Sequence, residues 1–128
     1  MSAPARAGLF IYAQDPDRLS DFYQCVLGMT AAHRTDQMVV LRSPDLQLIV
    51  HAMPPQVASQ VVVTRPPQLR DSAAIKFFCT VPSLSSAQES AQSLGGQVLP
   101  EQWQGPGFVV RNACDPEGNI FQLRQSAA

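Results

Sequence analysis

Leu9-Phe10-Ile11-Tyr12-Ala13, followed by Asp15-Pro16 and a helix-patterned run ending at Leu27-Gly28, is written a second time in the chain. The second version is Ile75-Lys76-Phe77-Phe78-Cys79-Thr80-Val81, then Pro82-Ser83, then a helix-patterned run ending at Leu94-Gly95-Gly96. The two Leu-Gly stops lie about half a chain apart. Internal repetition of this kind decides architecture before any single residue does, because each copy is one supersecondary unit. Two strand–helix–strands units imply two half-domains of one fold.

Working outward from the first copy, Asp15 is a helix cap with Pro16 at the first helical position. Leu19, Phe22, Tyr23 and Val26 recur at helical spacing and predict one apolar face. Gly28 supplies the left-handed stop. Residues 30–34, 38–42 and 46–52 then read as three short strands, with Ser43-Pro44-Asp45 as the turn before the last. In the second copy residues 74–81 read as a strand. Ser83 reads as a cap, and Leu84, Ala87, Ala91 and Leu94 as a helix face. Residues 97–102, 108–113 and 119–125 read as strands. Each unit is βαβββ, so the expected class is α+β, with units at 8–53 and 74–125 in a single domain spanning 1–128. Between them, residues 54–73 read as a proline-punctuated connector with one extra edge strand at Val61–Thr64. Four strands with one helix leave the other sheet face uncovered, and two such sheets make an open cup.

Bulk properties narrow the function. The chain has 128 residues, 45% of them hydrophobic and 15% charged, with a formal net charge of −1. That size sustains a core of its own. That balance argues against nucleic acid or an anionic membrane as partner. No apolar run approaches a membrane span, and Met1–Ala7 lacks the apolar core of a signal peptide, so cytoplasm is the expected compartment. Cys25, Cys79 and Cys114 are widely spaced, with no CxxC, and read as buried reduced thiols. Asp115 and Glu117 read as parts of a turn rather than an acid/base pair. There is no GxGxxG, phosphate-binding loop or nucleophile elbow.

Asp15, the Phe22-Tyr23 pair and Val26-Leu27-Gly28 resemble the opening of vicinal oxygen chelate proteins. Asp115-Pro116-Glu117-Gly118-Asn119-Ile120-Phe121-Gln122-Leu123 is similar to that superfamily's DPxGNxxEL ending. The superfamily includes glyoxalase I, bleomycin-resistance proteins, fosfomycin-resistance enzymes and extradiol dioxygenases. The resemblance covers residues 8–125 and implies a glyoxalase-like curved-sheet cup and a homodimer. It also implies four metal-ligand positions, commonly His or Gln, Glu, His or Gln, and Glu. Here they fall at Gly8, within 46–52, at Lys76 and at Gln122. Glycine offers no donor, and a protonated lysine repels a cation. Only Gln47, His51 and Gln122 remain as fallback ligands, His33 being expected at a solvated strand edge. No metal or other cofactor is therefore expected.

Strand alternation gives the expected cup lining. Phe10 and Tyr12 share the face of Gly8. Lys76, Phe78 and Thr80 share another, and Ile120, Gln122 and Arg124 a third. His51 joins in register, and Trp103 closes one rim beside Gly105-Pro106-Gly107. The ligand set Phe10, Tyr12, His51, Lys76, Phe78, Trp103, Gln122 and Arg124 suits a small anionic or carbonyl-bearing organic molecule. Three functions follow. The first is metal-independent small-molecule binding, as in bleomycin-resistance proteins. The second is a lyase, isomerase or dioxygenase with an altered site, His51 acting as general base and Lys76 stabilising an oxyanion. The third is an interaction module whose cup face is the interface. Arg65 and Arg70 are expected as connector charges, with folding over the cup as the alternative.

Overall fold

The computed structural model describes residues 4–127, so the start of the Met1–Ala7 stretch lies outside the described residues. β1 (Gly8–Ala13) leads into α1 (Pro16–Leu27). The Asp15 side chain accepts a hydrogen bond from Arg18 N at 3.1 Å, and Gly28 ends the helix at φ 66°. β2 (Thr30–Arg34), β3 (Met38–Arg42) and β4 (Gln47–Ala52) follow, then a short α2 (Pro55–Ala58). The second unit is β5 (Phe78–Thr80), α3 (Leu84–Ser93), β6 (Gln97–Gly105), β7 (Phe108–Cys114) and β8 (Ile120–Ser126). Ser83 caps α3 by accepting from Ser86 N at 3.1 Å. The sheets have identical plans, β1-β4-β3-β2 and β5-β8-β7-β6. In each, the first strand pairs parallel with the last and the other pairings are antiparallel. The repeat in the sequence is thus a repeat in the fold.

The helices pack on each other and on the inner sheet faces, forming one core shared by both units. Phe22, Tyr23 and Phe121 are fully buried and meet edge to face, and Phe77 stacks on Phe121 at 5.3 Å. Burying side chains of this size contributes about 1.5–3 kcal/mol each.

Two buried carboxylates cross the boundary between units. Glu117, in the turn between β7 and β8, accepts from Gln14 N at 2.8 Å and Asp15 N at 2.9 Å at the entry to α1. Asp115 accepts from the Tyr23 hydroxyl of α1 at 2.6 Å. It also accepts from the Glu117 and Asn119 amides and from Asn119 Nδ2. Burial pushes the Asp115 carboxyl up, and these hydrogen bonds only partly oppose it. The Tyr23 hydroxyl is likewise pushed well up, first by burial and then by the Asp115 charge. The connector is stitched to the same turn, because Arg70 N donates to Gly118 O at 2.9 Å and Arg70 Nε to Glu117 O at 3.1 Å. Gly118 has φ 89° with the Gln68 carbonyl pressed against it, so no other residue fits there.

Several expectations need correction. Val61–Thr64 is not a strand: the Val61 carbonyl accepts from Gln14 Nε2 at 2.8 Å instead of joining a ladder, and Thr64 Oγ1 donates to Pro66 O. The connector carries α2 instead. The strand expected over 74–81 is shortened to Phe78–Thr80, because its pairing with β8 begins where Gln122 N donates to Phe77 O. Lys76 therefore lies before the strand. β6 runs on to Gly105, which places Trp103 within a strand rather than beside the turn. Cys25 is exposed on α1, whereas Cys79 is half-buried and Cys114 buried. Asp115 and Glu117, expected only as turn residues, are buried at 0% and 4% exposure.

Candidate functional site

Each sheet turns one face to the helices and leaves the other open. Along β1 the residues alternate, so that Ile11 and Ala13 are buried while Phe10 and Tyr12 are each 54% exposed. Register extends this open face across the first sheet. Gly8 pairs with Gln47, Phe10 with Ile49 and Tyr12 with His51. Val40 and Met38 of β3 lie beyond Ile49 and His51, and His33 of the edge strand β2 pairs with Val40. His33 is exposed, as expected.

Phe10, Tyr12 and His51 form a ring cluster. The imidazole lies 5.7 Å from Tyr12 and 6.4 Å from Phe10, and the two other rings lie 6.1 Å apart. His51 Nδ1 lies 2.8 Å from the Ala52 carbonyl. A ring nitrogen facing a carbonyl oxygen is the protonated one, so the neutral ring carries its lone pair on Nε2.

On the second sheet two rows line the open face. Phe78, Gln122 and Asn112 form one, and Thr80, Arg124, Val110 and Trp103 the other. Lys76 reaches the first row from outside its strand, Nζ donating to Asn112 Oδ1 at 3.2 Å. The Arg124 guanidinium carbon lies 3.6 Å from the Phe78 ring centroid and 4.4 Å from that of Phe108. Phe78 and Trp103 are 53% and 43% exposed.

A cavity of about 330 Å³ joins the two faces where β1 approaches the start of β8, lined by Phe10, Tyr12, Ile75, Ile120 and Arg70. Arg70, expected as a connector charge, thus reaches the cup region while held on Glu117 O. A larger cavity of about 610 Å³ lies away from these faces, beside Arg18, Asp21, Arg65 and Gly95. Arg65 lines that cavity.

The structure brings Phe10, Tyr12 and His51 together on one sheet, and Phe78, Gln122, Arg124, Trp103 and the Lys76 head on the other. His51 and Lys76 share no contact: the ring sits in its aromatic cluster and the ammonium on Asn112. Sequence reasoning missed Phe108 and Asn112. The alternation of residues 108–113 puts them on one face with Val110, but only the pairing with β8 shows that this face bears Arg124.

The donors at the four metal positions do not fit a divalent ion. Gly8 has none, and its missing side chain would press on the Gln47 carbonyl. Gln47, His51 and Gln122 supply two amides and one imidazole but no carboxylate, and the Lys76 charge sits on Asn112, the cross-strand neighbour of Gln122. Neutral amides are weak ligands for hard cations. Among the described residues no three His, Cys, Asp or Glu side chains converge.

Comparison with known proteins places this geometry. No curated protein sequence matches the chain significantly. Solved structures do. A hypothetical protein from S. aureus superposes with a TM-score of 0.67 at 18% identity, covering 97% of this chain and 95% of that one. A glyoxalase/bleomycin resistance protein/dioxygenase family enzyme from Burkholderia phytofirmans gives 0.67 at 16% identity, with 93% and 96% coverage. The fosfomycin resistance protein FosX from Listeria monocytogenes gives 0.68 at 12% identity, with 98% and 96% coverage. At these identities the likeness is one of fold. Residues 8–124 match the family model of the glyoxalase-like domain, and with its two βαβββ units the chain belongs to that family, within the vicinal oxygen chelate superfamily.

Proposed function

We propose that this protein binds a small anionic or carbonyl-bearing organic molecule on the open sheet faces, without a metal, as a homodimer. The observation that carries the reading is the set of four large rings left in solvent on those faces, Phe10, Tyr12, Phe78 and Trp103, beside His51, Lys76, Gln122 and Arg124. Aromatic surface with a few convergent polar groups is the usual make-up of an organic-ligand site. Contiguous exposed apolar area also asks for cover, which a second copy supplies. The donor set argues against a metal, and the bleomycin- and fosfomycin-resistance names among the structural relatives agree with small organic ligands.

Calorimetric screening of small aromatic anions against protein dialysed with chelator tests this. The expected result is binding that added zinc, manganese or iron leaves unchanged. Binding that appears only with metal, or none at all, overturns it. Sedimentation at rising concentration tests the dimer, and a monomer throughout removes it.

One observation favours a second reading, an altered lyase, isomerase or dioxygenase. With Nδ1 on the Ala52 carbonyl, His51 keeps Nε2 as an acceptor suited to a general base. If so, His51→Gln abolishes turnover of a ligand found in the screen while leaving its affinity. A ligand recovered unaltered from stoichiometric protein refutes it.

A further inference from the structure

We infer that the ligand is a planar aryl carboxylate of one or two rings, and that Arg124 rather than Lys76 is the group that reads the carboxylate. The inference rests on the binding role proposed above and concerns the second sheet of that same site.

The two cations of this face are in different situations. Lys76 is exposed and its ammonium already donates to Asn112. Arg124 is partly buried against Phe78 and Phe108. Its Nε is buried without a hydrogen-bond partner. No carboxylate pairs with it: among the described residues the one ion pair joins Arg34 and Asp17, on the other sheet's side of the molecule. An unpaired, partly buried cation is costly to keep, and ring contacts of this kind return only about 0.5–2 kcal/mol each.

The same arrangement prepares the guanidinium for a flat anion. With Phe78 and Phe108 beside the guanidinium and Nε enclosed, the two Nη groups are the donors left to meet a ligand. That pair matches the two oxygens of a carboxylate, and the rings hold it in place beforehand, so little side-chain freedom is lost on binding. An anion there also neutralises the charge shared by the enclosed Nε.

The row in register with Arg124 gives the size of the rest. Val110 lies one strand away and is 8% exposed, already covered by the side chains around it, and Trp103 lies two strands away. Two strand spacings are about 10 Å, the span of a carboxylate carrying one or two fused rings. A molecule anchored on Arg124 and passing over the side chains that cover Val110 ends on the exposed indole. Thr80, on the opposite side of Arg124, is exposed and adds a hydroxyl at the anchored end.

Trp103 is the sole tryptophan, so its emission reports occupancy of this row. The test titrates benzoate and 2-naphthoate, and the neutral benzamide and 2-naphthamide, into wild type, Arg124→Met and Arg124→Lys. Naphthoate should perturb Trp103 and bind about 30-fold more tightly than the amide, the worth of a charge-assisted pair. Arg124→Met should abolish that preference by weakening the acid far more than the amide, and Arg124→Lys should keep part of it. Arg18→Met removes the same charge beside the remote cavity and should leave the preference intact. Equal affinity for acid and amide in wild type, or an unchanged preference in Arg124→Met, overturns the inference while the binding role stands. Should Arg124→Met fail to fold, the acid–amide comparison in wild type and Arg124→Lys decides. If neither acids nor amides bind at up to about 5 mM by emission or calorimetry, the inference falls, and the binding role rests on the wider screen described above.

Discussion

Replacing Glu117 with Ala removes the acceptor for two backbone amides, those of Gln14 and Asp15, and severs the turn of the second unit from the first helix of the other. Glu117 is 4% exposed, so little water competes for its carboxylate in the native state. A hydrogen bond to a charged group contributes about 1.5–3 kcal/mol. Two such bonds give about 3–6 kcal/mol, and the half-buried amides regain some of it from water entering the gap. The expected loss is therefore about 3–4 kcal/mol, a large share of the 5–15 kcal/mol typical of a domain. That corresponds to a fall in Tm of about 10–15 °C for a chain of this length. Glu117→Gln keeps one acceptor oxygen and turns an NH₂ toward the second donor, so it should lose at least half as much. Urea unfolding followed by circular dichroism measures both, with thermal melts as a second reading. If Glu117→Ala stays within about 0.5 kcal/mol of wild type, the carboxylate is not what joins the units.

The Asp115 carboxyl is raised in the folded state, so its native form keeps a proton to higher pH than its unfolded form. Its contribution is largest in acid and is lost as pH rises from the unfolded value through the raised folded one. The Tm of wild type minus that of Asp115→Asn should thus be greatest at the acid end and shrink toward neutrality; a gap that widens with pH contradicts this. Phe121→Ala should cost about 3–5 kcal/mol in urea unfolding, because Phe22, Tyr23 and Phe77 each lose one ring partner; a loss under about 1 kcal/mol would show that the core collapses freely around the gap. A thiol reagent at neutral pH should modify one cysteine quickly, exposed Cys25, since burial raises the Cys79 and Cys114 thiols; two or three fast thiols would contradict the packing of the second sheet.

Much of the fold is legible in local chemistry. Asp15, Pro16 and Gly28 bound α1 because capping, a fixed φ and a left-handed stop act within a few residues. Period-two alternation puts Phe10 and Tyr12 outward for the same reason. What is not legible depends on partners far along the chain. β5 is short because its pairing with β8 starts at Phe77, so Lys76 leaves the strand although its own sequence is strand-like. Asp115 and Glu117 look like solvated turn acids, and only the Tyr23 hydroxyl and the amides before α1 explain their burial. The seat of Arg124 needs Phe108, and that contact follows from the β7–β8 register rather than from either residue's neighbours.

The parallel pairing of first with last strand has a consequence for how the chain matures during synthesis. β1 waits for β4, and β5 waits for β8, which ends at Ser126. Until synthesis has passed β8, the first sheet has all its strands and the second lacks an inner one, together with Phe121. The two halves therefore ripen in sequence, and the aromatic centre they share closes only once β8 is free to pair.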